Sequence, residues 1–248
     1  MSTSLRTLEP SLVNPPVEPR DQRSFLHSLP PTILGKLTPF LTVRPLRQGK
    51  VLQTAGEPVA EVCFPLSAVL SLQETFEDGT EIWIAMVGRD SAIGLDAALN
   101  PDAVNERAVV QFSGDAAFVP AKHFASLAAE SPPLRAMIAK HHRALLAQMQ
   151  RTAACNVRHS AEQRLCRVLL QGSDLARSNQ LSVTQEALSA HVGVRRTTVT
   201  LIAQSLQAAG IIQYTRGRII IRDVDRLRAA ACECYGYIEK VRRRLIAA

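Results

Sequence analysis

An α+β architecture in three parts is what this sequence predicts: an antiparallel β-roll of the jelly-roll type, one long helix, and a C-terminal winged helix-turn-helix. Three observations carry it. Short β-branched runs broken by turn residues fill residues 43–120. From residue 134 to about 156 there is no Gly or Pro, and apolar side chains recur at helical spacing. Positive charge collects behind that helix. Residues 1–156 carry 14 Lys and Arg against 15 Asp and Glu, a net of −1, whereas residues 157–248 carry 15 against 7, a net of +8. A neutral front and a basic back is the electrostatic footprint of a nucleic-acid-binding unit on a sensing or assembly unit, or more plainly a solvated basic face.

The bulk numbers set the frame. A chain of 248 residues accommodates two compact domains at ~100–200 residues each. A hydrophobic content of 46% excludes a mainly disordered chain. No apolar run approaches the ~20 residues that span a bilayer, and residues 1–20 show no basic start, apolar core and cleavage site, so a cytoplasmic protein without membrane association is expected. Five scattered cysteines suit reduced thiols better than a disulfide framework.

Along the chain, Pro10, Pro15, Pro16 and Pro19 mark residues 1–24 as an extended or flexible tail. Residues 28–40 read as a short helical lead-in. Strands are expected over 50–53, 63–66, 69–73, 81–87, 107–112 and 116–119, with turns at Gly49, Gly56, Asp78-Gly79, Gly88 to Asp90 and Gly114. Strands so closely spaced mean a small antiparallel barrel or sandwich, here a sensor domain over 25–131. Pro132-Pro133 then opens the long helix of 132–156. At 1.5 Å per residue, ~22 residues make ~33 Å, long for the middle of a compact domain. The helix is therefore expected to pack along a copy of itself through Leu134, Ile138, His141, Leu145 and Met149, the alternative being that it covers its own barrel. Ser160 with Gln163 forms a capping box for a helix over 161–171, followed by a loop at Gly172 to Asp174 and Arg177 to Asn179.

The basic remainder, within a domain expected at 157–248, holds the most specific pattern. Thr184 caps a short helix with Gln185 at its start, and Leu188 and Val192 form its buried face. Gly193 stands where a tight turn needs positive φ. The next helix starts near Arg195, with Val199, Ile202 and Leu206 on one face and Arg195, Arg196, Thr197, Thr198 and Thr200 on the other. N-terminal residues of such a second helix meet base edges in a major groove, where Arg pairs with guanine and Thr bonds a base or touches a thymine methyl. Gly210 ends the helix, and a hairpin follows whose tip carries Arg216 and Arg218, placed to grip phosphates.

In this order the residues resemble the Crp/Fnr family of bacterial transcription regulators. The resemblance rests on 181–221, with Val192-Gly193-Val194-Arg195-Arg196 at its centre. It also rests on Gly56-Glu57, Val62 to Ser67, Asp78-Gly79-Thr80 and Gly88-Arg89-Asp90 in the front half. It implies a cyclic-nucleotide-type β-roll, a dimerisation helix, and a winged helix on a near-palindromic operator of double-stranded DNA, with RNA polymerase as a further partner. By position Arg196 resembles the family's main guanine-reading arginine. Thr197 replaces its usual Glu neighbour, and Leu201 replaces a second base-reading arginine. Cyclic-nucleotide-binding members present Gly-Glu and Arg-Ser pairs where this chain has Gly94-Leu95 and Arg107-Ala108. Each lost polar partner in a buried site costs ~1–3 kcal/mol, so an effector other than cAMP, or none, is expected. Arg107 is then an effector-pocket candidate, or a rim charge paired with Asp102 or Glu106.

No cofactor, metal or catalytic site is expected. The first cysteine, Cys63, lies in a strand, far from any N-terminal iron–sulfur cluster. Cys155, His159, Cys232 and Cys234 either meet as a metal or redox site or are buried structural thiols, and no Cys-x-x-Cys spacing favours the former. Gly-x-Ser-x-Gly, His-Glu-x-x-His and phosphate-loop motifs are absent. The rival to a DNA-binding regulator is a cyclic-nucleotide-type sensing module acting on a protein partner.

Overall fold

The computed structural model describes residues 24–98 and 106–246, so the proline-rich tail read over residues 1–24 lies almost wholly outside the described residues. Seven strands build the front: β1 (Thr42–Leu46), β2 (Val51–Gln53), β3 (Glu61–Pro65), β4 (Val69–Thr75), β5 (Glu81–Val87), β6 (Arg107–Phe112) and β7 (Gly114–Pro120). They form two antiparallel sheets, β1-β7-β3 and β2-β6-β4-β5. Both inner faces share one core of Leu46, Cys63, Leu70, Leu72, Val87, Val110 and Phe118. Strand β1 was not anticipated because Pro45 interrupts it. It lies at a sheet edge, paired only to β7, where a residue without an N–H is tolerated.

Helix α1 (Pro31–Leu37) lies within the expected lead-in, and the unanticipated α2 (Ala121–Glu130) follows β7. Phe25, Leu26, Ile33 and Leu37 of the lead-in pack with Phe64 and Phe124 into a second core.

The long helix α3 (Pro132–Arg158) is 27 residues, capped by Ser131, whose side chain accepts the Leu134 N–H. Its expected dimer stripe turns inward instead. Leu134 and Ile138 join the core around Phe64 and Phe124, and Leu145 and Met149 pack on the β-roll interior. His141 is 2% exposed, edge-on to Phe25, with Nε2 2.6 Å from Ser91 Oγ and 3.3 Å from the Ala92 N–H that donates to it. The stripe has burial partners within its own chain, the alternative that the sequence left open. What α3 leaves to solvent is a different line: Ala136, Ala139, Arg143, Leu146, Gln150, Ala153 and Val157, every one exposed and spaced alternately three and four apart. Leu146 is 54% and Val157 92% exposed.

Helix α4 (Ala161–Ala176) starts with the predicted capping box, both of its reciprocal hydrogen bonds being present. It does not stop at residue 171. Gly172 to Asp174 continue the helix, because Gly172 passes close over Phe112 and Leu175 reaches Gly88, where a Cβ would meet it at 2.4 Å. The turn comes at Arg177, which adopts φ 50°.

Strand β8 (Gln180–Ser182), α5 (Gln185–Val192), α6 (Arg196–Ala208), β9 (Ile212–Thr215) and β10 (Arg218–Ile221) complete the helix pair and its hairpin. Strand β8 had not been expected; it turns the hairpin into a sheet ordered β8-β10-β9. Two helices beyond the hairpin were also not foreseen, α7 (Val224–Ala230) and α8 (Cys234–Ile246). Helix α8 packs along α3, and Arg242 Nε donates to Asp90 Oδ2 at 2.5 Å, both side chains largely buried. Helix α5 rests on β5, with the His191 ring 3.6 Å from that of Trp83. The winged unit thus touches the β-roll through α4, α5 and α8 as well as through its chain link. Among the described residues no helix is long and apolar enough to cross a membrane.

Candidate nucleic-acid interface

The turn between α5 and α6 sets the interface. Thr184 Oγ1 accepts the Ala187 N–H at 3.1 Å and starts α5, so its first role is a cap. The helix ends at Gly193, φ 67°, and the Gly193 and Val194 N–H groups both donate to the Ser189 carbonyl, at 2.8 and 3.2 Å. This left-handed ending is one that Gly adopts without strain. Leu188, Val192, Val199, Ala203 and Leu206 then lock the two helices over Ile211, Ile219 and Ile221 of the wing.

Burying Val199, Ala203 and Leu206 dictates what α6 shows outside. Arg196, Thr197, Leu201 and Gln204 are exposed, with Arg195 at the cap position just ahead. Thr198 is half-buried. Thr200 is also half-buried, and its hydroxyl donates to Gln185 Oε1 at 2.9 Å or to the Arg196 carbonyl at 3.1 Å. Gln185 and Thr200 therefore brace one another, leaving the Gln185 amide nitrogen uncommitted among the described residues. Arg216 and Arg218 flank Gly217, φ 74°, at the wing tip, and both are exposed.

Pairing separates two kinds of arginine in this basic half. Arg222 bonds Gln213, Arg226 the Ala209 carbonyl, Arg228 Asp225 and Arg242 Asp90. Among the described residues the side chains of Arg195, Arg196, Arg216 and Arg218 make no hydrogen bond or ion pair. Four unneutralised guanidiniums around an exposed helix start suit an anionic backbone with readable base edges. The sequence reading had noted Leu201 only as a missing arginine and had not named Gln204. Leu201 is 67% exposed, an apolar surface one turn along from Thr197, suited to a thymine methyl.

The β-roll presents no polar cradle at the two positions compared above. Leu95 is 1% and Ala108 0% exposed, both in apolar cores. Arg107 donates to Glu81 at 2.6 Å and to Gln73 at 2.9 Å. Its partner is thus Glu81, across β4 from its own strand. Asp102 lies outside the described residues, and burial pushes the Glu106 carboxyl upward, as expected of an acid without a close cation. A cleft of about 840 Å³ runs between the outer sheet and α5, lined by Trp83, Gln111, Glu186 and Arg195 among others.

Two buried imidazoles sit at the junctions. Burial, then the neighbouring His142, pushes His141 down to about 3. Burial, then Arg167, holds His191 well below the usual imidazole range. At the far end of α3 the four residues whose spacing gave no chelation signal converge: Cys155, His159, Cys232 and Cys234. There the Cys155 and Cys232 sulfurs share a hydrogen bond at 3.5 Å, and that bond favours ionisation of one thiol of the pair over the other.

The fold is that of Crp/Fnr-family regulators. FixK2 from Bradyrhizobium japonicum matches with a TM-score of 0.66 at 15% identity, covering 77% of this chain and 98% of that one. A transcriptional regulator of the CRP/FNR family from Thermus thermophilus matches at 0.63 and 21% identity, over 77% and 98%. The c-di-GMP-responsive global regulator CLP of Xanthomonas campestris matches at 0.62 and 16% identity, over 77% and 98%. Residues 163–230 match the Crp-like helix-turn-helix domain, which here follows a β-roll and a long helix. No curated protein sequence matches the chain significantly.

Proposed function

We propose that the protein is a homodimeric, sequence-specific DNA-binding transcription regulator of the Crp/Fnr type, acting in the cytoplasm on a near-palindromic operator and meeting RNA polymerase there. The observation that carries this is the set of unpaired arginines, Arg195, Arg196, Arg216 and Arg218, around the exposed start of α6 in a Crp-like domain. Its working parts are a sensor over 25–131, a helix over 132–156 and a DNA-binding unit over 157–248. The seam between copies is the exposed line Ala136, Ala139, Arg143, Leu146, Gln150, Ala153 and Val157, a three-four repeat with small and apolar residues at five of seven positions. Arg143 and Gln150 within it would fix register.

The effector is not cAMP, or there is none. Leu95 and Ala108 offer no hydrogen bond to a ribose or cyclic phosphate, and Arg107 is neutralised by Glu81. A sensing module acting on a protein partner is the weaker reading, since it leaves the four arginines without a role. Selecting genomic fragments on the purified protein and titrating them against salt tests the proposal. Enrichment of one inverted repeat, bound with a steep salt dependence, is expected; uniform recovery of all fragments, or none, would overturn it.

A further inference from the structure

Three thiols and an imidazole meet where α3 ends. Cys155 lies in the last turn of α3, and His159, four residues on, is its C-cap. Cys232 comes from the link between α7 and α8 and Cys234 opens α8, the Cys155–Cys232 pair being 77 residues apart. The four donor atoms all lie within 4.8 Å of one another. Cys155 Sγ is 3.5 Å from Cys232 Sγ, and Cys234 Sγ is 3.7 Å from His159 Nδ1. The cysteines are 0%, 4% and 1% exposed.

We infer that Cys155, His159, Cys232 and Cys234 bind one zinc ion as a tetrahedral Cys3His site that clasps the end of α3 to the link before α8. The spacing fits a single ion. Metal–sulfur bonds of ~2.3 Å in a tetrahedron put the ligand atoms ~3.8 Å apart, close to both short distances. An iron–sulfur cluster, whose sulfurs straddle several metal atoms, needs its thiols further apart.

Two features outside the ligand set support this. His159 faces Cys234 through Nδ1, and its other nitrogen, Nε2, is 2.9 Å from the Glu233 carboxylate. That is the carboxylate–histidine–metal arrangement, which fixes the ring and the tautomer. Beside the thiols lies Arg167, 3% exposed, with Gln171 as its hydrogen-bond partner, no carboxylate among the described residues, and a buried Nε that donates to nothing. Buried charges are normally compensated. Zinc with three thiolates and a neutral imidazole carries a net −1, which supplies the missing anion; the three thiol protons leave to solvent on binding.

The test uses the full chain, metal content as purified, and titration of the stripped protein with Co²⁺. One zinc per chain is expected, and a saturable one-to-one Co²⁺ complex with tetrahedral visible bands and thiolate charge-transfer absorption. Cys232→Ser should lose about a third of the charge-transfer intensity, while Cys166→Ser, a buried thiol outside the cluster, should bind like wild type. Glu233→Gln alters a side chain that is 72% exposed, so its folding is secure; it should keep the spectrum and weaken affinity by ~10–100-fold. Absence of a tetrahedral Co²⁺ spectrum, an unaltered titration in Cys232→Ser, iron–sulfur absorption as purified, or a Cys155–Cys232 disulfide that leaves only three of the five thiols titratable would each overturn the assignment.

Discussion

Replacing Arg196 and Arg218 in turn by alanine separates base reading from backbone binding. Both side chains are exposed and lack partners among the described residues, so neither change removes a folding interaction, and stability should stay within ~0.5 kcal/mol. Arg196 opens α6 beside Thr197 and Leu201, where a guanine edge would lie. A bidentate arginine–guanine pair is worth ~1–3 kcal/mol, and a dimer makes it twice. Losing both costs ~2–6 kcal/mol on the operator, from about 30-fold to about 10⁴-fold in Kd. Discrimination should relax mainly at one base pair per half-site. Arg218 lies beside the wing turn, facing phosphates. Its loss should weaken operator and scrambled duplex alike and lower the slope of log K against log salt by ~1.8, that is ~0.9 for each of two phosphates. Fluorescence anisotropy with both duplexes at four salt concentrations reads both quantities. If Arg196→Ala left base preference intact while Arg218→Ala altered it, α6 would not be the reading helix.

Two further outcomes follow from burial. Leu146→Glu should give monomers in sedimentation at micromolar concentration with unchanged melting, whereas Ile138→Glu, at a side chain 0% exposed, should cost more than ~3 kcal/mol and unfold the protein; a dimeric Leu146→Glu protein would place the seam elsewhere. His141 and His191 are both held below the ordinary imidazole value when folded, so above pH ~6.5 they contribute no pH dependence, and below it the unfolded chain takes up protons that the folded chain refuses. Stability should therefore fall on acidification by up to ~1.4 kcal/mol per pH unit for each imidazole. Urea unfolding at pH 7 and 5 should show that slope reduced by about half in His191→Gln, and an equal slope would refute the account.

The helix pair and its hairpin were legible because their signals are local: a cap, a positive-φ glycine, an apolar face and a hairpin turn each sit within a few residues. The long helix was legible in extent but not in orientation. An apolar stripe announces burial without naming what covers it, and Leu134, Ile138, Leu145 and Met149 are covered by strands and a lead-in remote in sequence. For the same reason the thiol cluster was hidden, since chelating spacing is a local pattern and this group closes a gap of more than seventy residues. Helix α4 outran its expected end because Gly172 and Ser173 look like a loop, yet the glycine is there for close approach to Phe112. Arg107 found Glu81 instead of a sequence neighbour because β4 brings the two strands together.

The attachment of the winged unit at several points has a kinematic consequence. A body hung from one link can swing through a continuum of angles. This one is held at the junction of α3 with α4, at His191 against Trp83, and at Arg242 against Asp90, points that lie on three different elements. Three such anchors remove rotation as well as translation. Turning the reading-head toward a new angle then requires the ring contact and the ion pair to break in the same event, because neither can stretch while the other holds.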